Sequence, residues 1–248
     1  MAKSIFNIGA HWFSQRQSIK EISFELWETL VGLSKVDELF KNPVLSEEGY
    51  QDVFIDLKSN DEDGINLIAH TILEFSRKDI LANEGVQNPT IEFSRDFGFM
   101  FVLSYNSKEK NEVSFIPRMG SSQANGIGTV TISRQLTKDF NWYYSVLRAL
   151  IDNSSAKFGS VSLKEVAFNE ICNTYNYPLG WITFFSNDYK IKIPDDLKDI
   201  EYEHTEKGKY LILTREDFTT DKETYEAHKQ KLLEIMEEIK RRVPEYSK

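Results

Sequence analysis

Apolar residues recur at two different periods along this 248-residue chain. Ile19, Ile22, Leu26, Leu30 and Leu33 fall at helical spacing and form one apolar stripe. Ser18 and Glu21 stand at the spacing of a capping box, in which each side chain satisfies a backbone N–H at the helix start. A helix is therefore predicted from Ser18. A second helix is predicted over 65–80, with Leu67, Ile68, Ile72 and Phe75 facing inward. A third covers 140–151, with Phe140, Tyr143, Leu147, Leu150 and Ile151 on one side. A short one is expected over 163–172. The last opens at a second capping pair, Thr220 and Glu223, and runs to about Arg242, burying Tyr225, Leu232, Ile235, Met236 and Ile239. Lys240, Arg241 and Arg242 sit where positive charge suits the helix dipole.

Elsewhere the period is two. A first strand is predicted over 4–11. Phe93, Phe97, Phe99, Phe101, Leu103 and Tyr105 share one parity across 92–105, which predicts one long strand with one buried face. Segments 113–117 and 129–133 read as its antiparallel neighbours, with a turn-rich loop at 120–128 between them. Residues 160–162 read as a short strand. Segment 180–186 is apolar on both faces, so it is placed at the centre of a sheet. Segment 201–214 reads as a hairpin turning at Lys207-Gly208, and 41–63 as a loop with an extended piece at 53–57. Strands cluster and tight hairpins join them. The expected fold is α+β, a mostly antiparallel sheet flanked by helices. No Pro- or Ser-rich linker and no repeat interrupts the chain, so 1–248 is read as a single domain.

Composition narrows the function. With 40% hydrophobic residues, the chain has enough apolar surface for a packed core. Its net charge of −9 disfavours direct contact with nucleic acid or anionic membranes and favours basic partners. The single cysteine, Cys172, can form no internal disulfide and reads as a small core side chain. His11, His70, His204 and His228 have no His or Cys partner at metal-ligand spacing. No Gly-x-Ser-x-Gly elbow occurs, and the 120–128 loop lacks the Gly-Lys-Ser/Thr ending of a phosphate loop. No catalytic residue, metal or cofactor is expected. The first residues lack the apolar run of a secretory signal, and no stretch has the length needed to span a bilayer. A soluble, cytoplasmic protein is expected.

Carboxylates and one tryptophan remain as candidates. Asp195, Asp196, Asp199, Glu201, Glu203 and Glu206 face a single Lys198 within 195–206. Three readings stand for this cluster: a solvated edge that discourages aggregation, a surface for a basic partner, or a metal-dependent hydrolytic centre. Asp61, Glu62 and Asp63 form a second run, and Glu47-Glu48 a third. Trp142 falls off the apolar stripe of its helix, so it is expected to be exposed and able to anchor an interface.

Certain segments resemble a known family. Ile8-Gly9-Ala10-His11-Trp12, followed by a helix opening at Ser18, resembles the N-terminus of the immunity protein 52 family. Gly180-Trp181-Ile182-Thr183-Phe184-Phe185-Ser186 is similar to its Gly-Trp-hydrophobic-Thr-aromatic strand, and Ile193-Pro194-Asp195 to the Leu-Pro segment that follows. Lys209-Tyr210-Leu211-Ile212-Leu213-Thr214, then Phe218 and a closing helix, resembles the family's ending. The chain departs from the pattern at His11, where Tyr is common, and through its middle. The resemblance implies a bacterial, non-enzymatic partner of a polymorphic toxin, often one delivered by type VI secretion. It also implies that the protein binds and blocks the toxin's nuclease domain, usually of restriction-endonuclease-like fold. Gly9, Trp12, Gly180 and Trp181 would be structural in that family. A basic nuclease surface would attract the 195–206 cluster first and Asp61, Glu62 and Asp63 second. Two alternatives stay open, a metal-dependent hydrolase built on the acidic cluster and an interaction domain with an unrelated partner.

Overall fold

The computed structural model describes residues 6–12, 15–105, 113–122, 126–132, 138–163, 179–217 and 221–246. The fold is α+β, with antiparallel strand pairing and four helices among the described residues. The chain gathers into two compact units, Met1–Ala10, Arg134–Leu147 and Lys157–Lys248 in the first, His11–Ser133 and Arg148–Ala156 in the second. One domain over 1–248 was the expectation. No composition shift marks the division, because two of the passages between units fall inside a strand, Phe6–Trp12, and a helix, Phe140–Asp152.

The first unit contains a sheet in the order β10-β11-β9-β8-β1. Its strands are β1 (Phe6–Trp12), β8 (Phe158–Leu163), β9 (Ile182–Ser186), β10 (Glu201–His204) and β11 (Gly208–Ile212). β9 pairs antiparallel with both β8 and β11, and all five of its residues are buried. That is the central position its two apolar faces predict. β10 and β11 form the expected hairpin, with Glu201 opposite Ile212 and His204 opposite Lys209. The long C-terminal helix, α4 (Lys222–Arg242), buries Tyr225, Leu232, Ile235, Met236 and Ile239. Its N-cap is Asp221, which accepts the Thr224 N–H at 2.7 Å. The expected cap, Thr220, lies outside the described residues, as do Phe218, the predicted 163–172 helix beyond Leu163, and Cys172.

The second unit opens its first helix, α1 (Ile19–Ser34), with the predicted capping box. Ser18 N–H donates to Glu21 at 2.7 Å and Glu21 N–H to Ser18 Oγ at 3.2 Å. All five stripe residues of α1 are fully buried. α2 (Asp61–Glu84) lies against α1 where Gly64 meets Trp27. A Cβ on Gly64 would lie 2.2 Å from the indole, so only glycine admits this approach. The buried stripe of α2 is carried by Gly64, Ile68, Thr71 and Ile72, which leaves Leu67 exposed and Phe75 half-buried, against expectation.

The strands of this unit run β7-β6-β5-β2-β3, with β4 also on β6. They are β2 (Pro43–Ser46), β3 (Val53–Phe54), β4 (Phe97–Met100), β5 (Val102–Tyr105), β6 (Val113–Ser121) and β7 (Gly126–Ile132). The predicted loop at 41–63 contains β2, too short to show a period, and β3, which falls within the extended piece expected at 53–57. The predicted 120–128 loop shrinks, because β6 runs to Ser121 and β7 begins at Gly126.

The long strand predicted over 92–105 is corrected. It is two short strands broken at Phe101. Opposite the break stands Pro117, which accepts the Phe101 N–H at 3.4 Å but has no N–H to return. At the other end, Gly98 adopts φ +66°, and a Cβ there would lie 2.3 Å from the Met119 carbonyl. This left-handed residue ends the simple alternation. Phe97, expected in the core with Phe99, is 60% exposed.

Candidate functional site

The acidic cluster of the first unit lies on and before the β10–β11 hairpin. Extended backbone places Glu201 and Glu203 on one face. Arg215 reaches both, at 2.9 Å from each Glu201 oxygen through Nε and 3.3 Å from Glu203. It also lies 5.3 Å above the Phe140 ring. The guanidinium holds the Glu201 carboxyl below its usual range. Glu203 additionally accepts the Tyr144 hydroxyl. Asp195 pairs with Lys209, whose ammonium lies 5.9 Å from the Tyr202 ring centre. Asp196 pairs with Arg242, which holds its carboxyl down. Tyr202 ties the preceding loop to the hairpin by accepting the Leu197 N–H at 3.0 Å and donating to the Pro194 carbonyl at 3.1 Å. Four of the six predicted carboxylates are thus paired with three cations, Arg215 serving both glutamates, and among the described residues the six are not gathered at one point. Asp199, at φ 59°, and Glu206 show no ion pair among the described residues. Among the described residues, no three His, Cys, Asp or Glu side chains are grouped to hold a metal ion.

Asp61, Glu62 and Asp63 form the first turn of α2, where negative charge meets the positive end of the helix dipole. Asp61 accepts the Trp27 indole N–H at 3.0 Å, and Asp63 bonds reciprocally with the cap residue Asn60. Two of the three carboxylates therefore have structural work inside the second unit.

Trp142 requires a correction. It is 8% exposed, not a surface anchor. α3 (Phe140–Asp152) buries Phe140, Trp142, Tyr143 and Val146, which spread over more than one side of the helix, so a single-stripe reading fails. Trp142 packs edge-on against Tyr143 at 5.3 Å, with the Lys138 ammonium 5.4 Å from its ring.

The Gly-Trp strand is built into the core. A Cβ on Gly180 would lie 2.2 Å from the Val161 carbonyl, so a side chain there would push β8 away. Trp181 is fully buried, donates its indole N–H to the Thr214 carbonyl at 2.8 Å, and packs on Phe140 and Tyr143. Gly9 is half-buried on β1, and Trp12 ends that strand. Between them His11 is sufficiently desolvated to hold its pKa down to about 4.

Two features of the second unit escape a sequence reading. An open groove runs along α1, lined by Phe24, Glu25, Glu28, Lys20 and Glu92. Its polar groups are largely engaged with one another, Glu25 with Gln17 and Ser155, Lys20 with Glu92. The other feature is the outer face of β4, β5 and β6. Met100 is 68% exposed, Val102 38% and Ile116 36%. Met100 stands opposite Arg118, and the Leu103–Phe115 register places Val102 across from Ile116. The signal was present in the even parity of Met100, Val102 and Ile116, but the odd-numbered aromatics dominate the segment.

No family model matches this chain, and no curated protein matches its sequence. Among the described residues, no helix is long and apolar enough to cross a membrane.

Proposed function

We propose that this chain is a cytoplasmic immunity protein that binds and neutralises a cognate secreted toxin, with a restriction-endonuclease-like nuclease domain as its target. It makes and breaks no covalent bond itself. The observation that carries this reading is the disposition of the most acidic segment. Its carboxylates are spread along an exposed hairpin and the loop before it, Asp195 held by Lys209, Asp196 by Arg242, and Glu201 and Glu203 together by Arg215. A hydrolytic metal site needs several oxygens aimed at one cation. A recognition surface needs charge fixed in place and facing outward.

The net charge of −9 supports the same reading. A nuclease carries positive charge to attract phosphates, so an acidic inhibitor is steered towards it and associates faster. The resemblance to the immunity protein 52 family, carried by the Gly180-Trp181 strand and the Gly9 to Trp12 segment, names the class of partner.

Co-expression tests the proposal. Cells producing the toxin encoded beside this gene are expected to survive when the chain is present, and the two proteins to co-purify. Toxicity undiminished by the chain, with both proteins produced, rejects the proposal.

A further inference from the structure

The hairpin charges are largely satisfied internally, whereas one surface of the second unit is apolar and unpartnered. Phe97, Met100, Val102 and Ile116 are all exposed, and Phe97 and Met100 line one shallow groove with Arg118 and Glu84. Scattered apolar side chains on a surface need no explanation, but a contiguous set on one sheet face does. Cross-strand register makes part of this set contiguous, since Val102 faces Ile116 and Met100 faces Arg118. An exposed sheet face of this kind is also a solubility liability that folding alone does not require.

Charge around the patch tells what covers it. β2 leaves the sheet at Ser46, opposite Val102, and its next two residues are Glu47 and Glu48, both exposed. Glu84 lines the groove on the α2 side. None of these three carboxylates has an ion pair among the described residues. The only other acid in the groove, Asp79, is taken by Arg95. Arg118, the one cation facing Met100, has no ion pair among the described residues. The rim therefore carries three free carboxylates against one free guanidinium around an apolar centre.

We infer that the outer face of β4, β5 and β6 is the docking surface for a protein that presents an apolar side chain flanked by lysine or arginine. This rests on the proposed function and deepens it: the partner is the basic toxin domain, anchored here. Long-range charge brings the partner in and governs the association rate, while the apolar centre, once desolvated, governs how long it stays.

The test uses the full chain and the toxin domain encoded beside its gene, with the nuclease inactivated by mutation. Dissociation constants and rates are measured for the wild type, for Val102→Lys with Ile116→Lys, and for Asp195→Lys with Glu201→Lys. Lysines on the sheet face remove the apolar contact and repel a basic partner. They are expected to weaken binding by about 30-fold or more, mainly through faster dissociation. The hairpin reversals are expected to slow association at low salt and leave dissociation within about threefold of wild type. Met100→Lys, at the most exposed position of the face, serves if the double variant fails to fold, and amide exchange checks that 97–104 and 113–118 gain protection in the complex. Wild-type binding with all face variants within about threefold overturns the docking surface while leaving the immunity reading intact. Absence of wild-type binding rejects both. A self-associated chain that Val102→Lys with Ile116→Lys renders monomeric assigns the face to a second copy and overturns the inference.

Discussion

The β10–β11 hairpin of the first unit and the outer sheet face of the second handle exposed surface in opposite ways. On the hairpin, Arg215 bridges Glu201 and Glu203, and Lys209 and Arg242 each take an aspartate from the preceding loop. On the sheet face, Met100, Val102 and Ile116 are exposed to water, and Glu47, Glu48 and Glu84 are unpaired among the described residues. Density of charge in the sequence is thus a poor guide to charge available for binding. The segment with the most carboxylates is largely neutralised by cations from outside it, Lys209, Arg215 and Arg242. The segment with fewer leaves both its charge and its apolar area open to a partner.

The largest effect that sharpens this contrast lies beneath the hairpin. Trp181 is fully buried against Phe140 and Tyr143, and Arg215 lies over Phe140 on the side of the hairpin carboxylates. Trp181→Ala is expected to cost about 4 kcal/mol of stability, the range for truncating a buried aromatic. Urea unfolding monitored by far-ultraviolet dichroism measures it. A loss below about 1 kcal/mol would mean that the Gly-Trp strand does not hold the first unit together.

Next in size is a pH effect that separates the two regions by where they titrate. His11 opens the second unit, and burial lowers its pKa from 6.5 to about 4. The unfolded chain takes up a proton as pH falls below 6.5, while the folded chain refuses it until about 4. The stability contributed by neutral His11 is thus present above 6.5 and lost between 6.5 and 4. Allowing for its partial exposure, the loss is on the order of 2 kcal/mol. Asp196 and Glu201 behave differently. Their folded values lie below 3.8 and 4.5, so their contribution persists above that range and disappears only as pH falls through the lowered values. Urea midpoints at pH 7 and pH 4.5 are expected to differ less in His11→Phe than in the wild type. An equal difference in the two proteins rejects this assignment.

Much of this was legible in the sequence, and the failures share a cause. α1 was readable because one strong stripe coincides with a capping box at Ser18, and α4 because its apolar positions keep helical spacing for about four turns. β9 was readable because a strand buried on both faces has few alternatives. The outer sheet face was missed because alternation assumes an unbroken strand. Pro117, on a neighbouring strand, breaks the ladder at Phe101, and Gly98 reverses the backbone beside Phe97. Pro117 lies outside the 92–105 segment, and Gly98, inside it, does not by its identity alone announce a positive φ. Trp142 was misplaced because a stripe implies one buried face, whereas α3 is buried on more than one. The carboxylates of 195–206 stand out in the sequence, but their partners Lys209, Arg215 and Arg242 lie outside that segment, so pairing could not be read locally.

That pairing gives a smaller effect. Arg215→Ala removes the cation shared by Glu201 and Glu203 together with its stacking over Phe140. Because the site is well exposed, the expected cost is only about 1 kcal/mol. A double-mutant cycle with Glu201→Gln measures the coupling, which is expected to be favourable and to shrink in high salt. A coupling that is zero at low salt would show the hairpin carboxylates to be effectively free, and the contrast with the sheet face would collapse.

The smallest effect concerns folding, and its smallness is the point. Met100→Gln and Val102→Thr replace apolar side chains that already face water with polar ones of similar shape. Residues that pack no core lose little when changed, so each variant is expected to unfold within about 0.5 kcal/mol of wild type. Val102→Thr keeps a β-branched residue on the strand, so the backbone preference is unchanged. If either substitution costs as much as a buried truncation, the face is packed against part of the chain itself and is not available to a partner. Stability near that of the wild type means instead that these apolar side chains contribute almost nothing to the fold, which leaves the face open for the proposed docking.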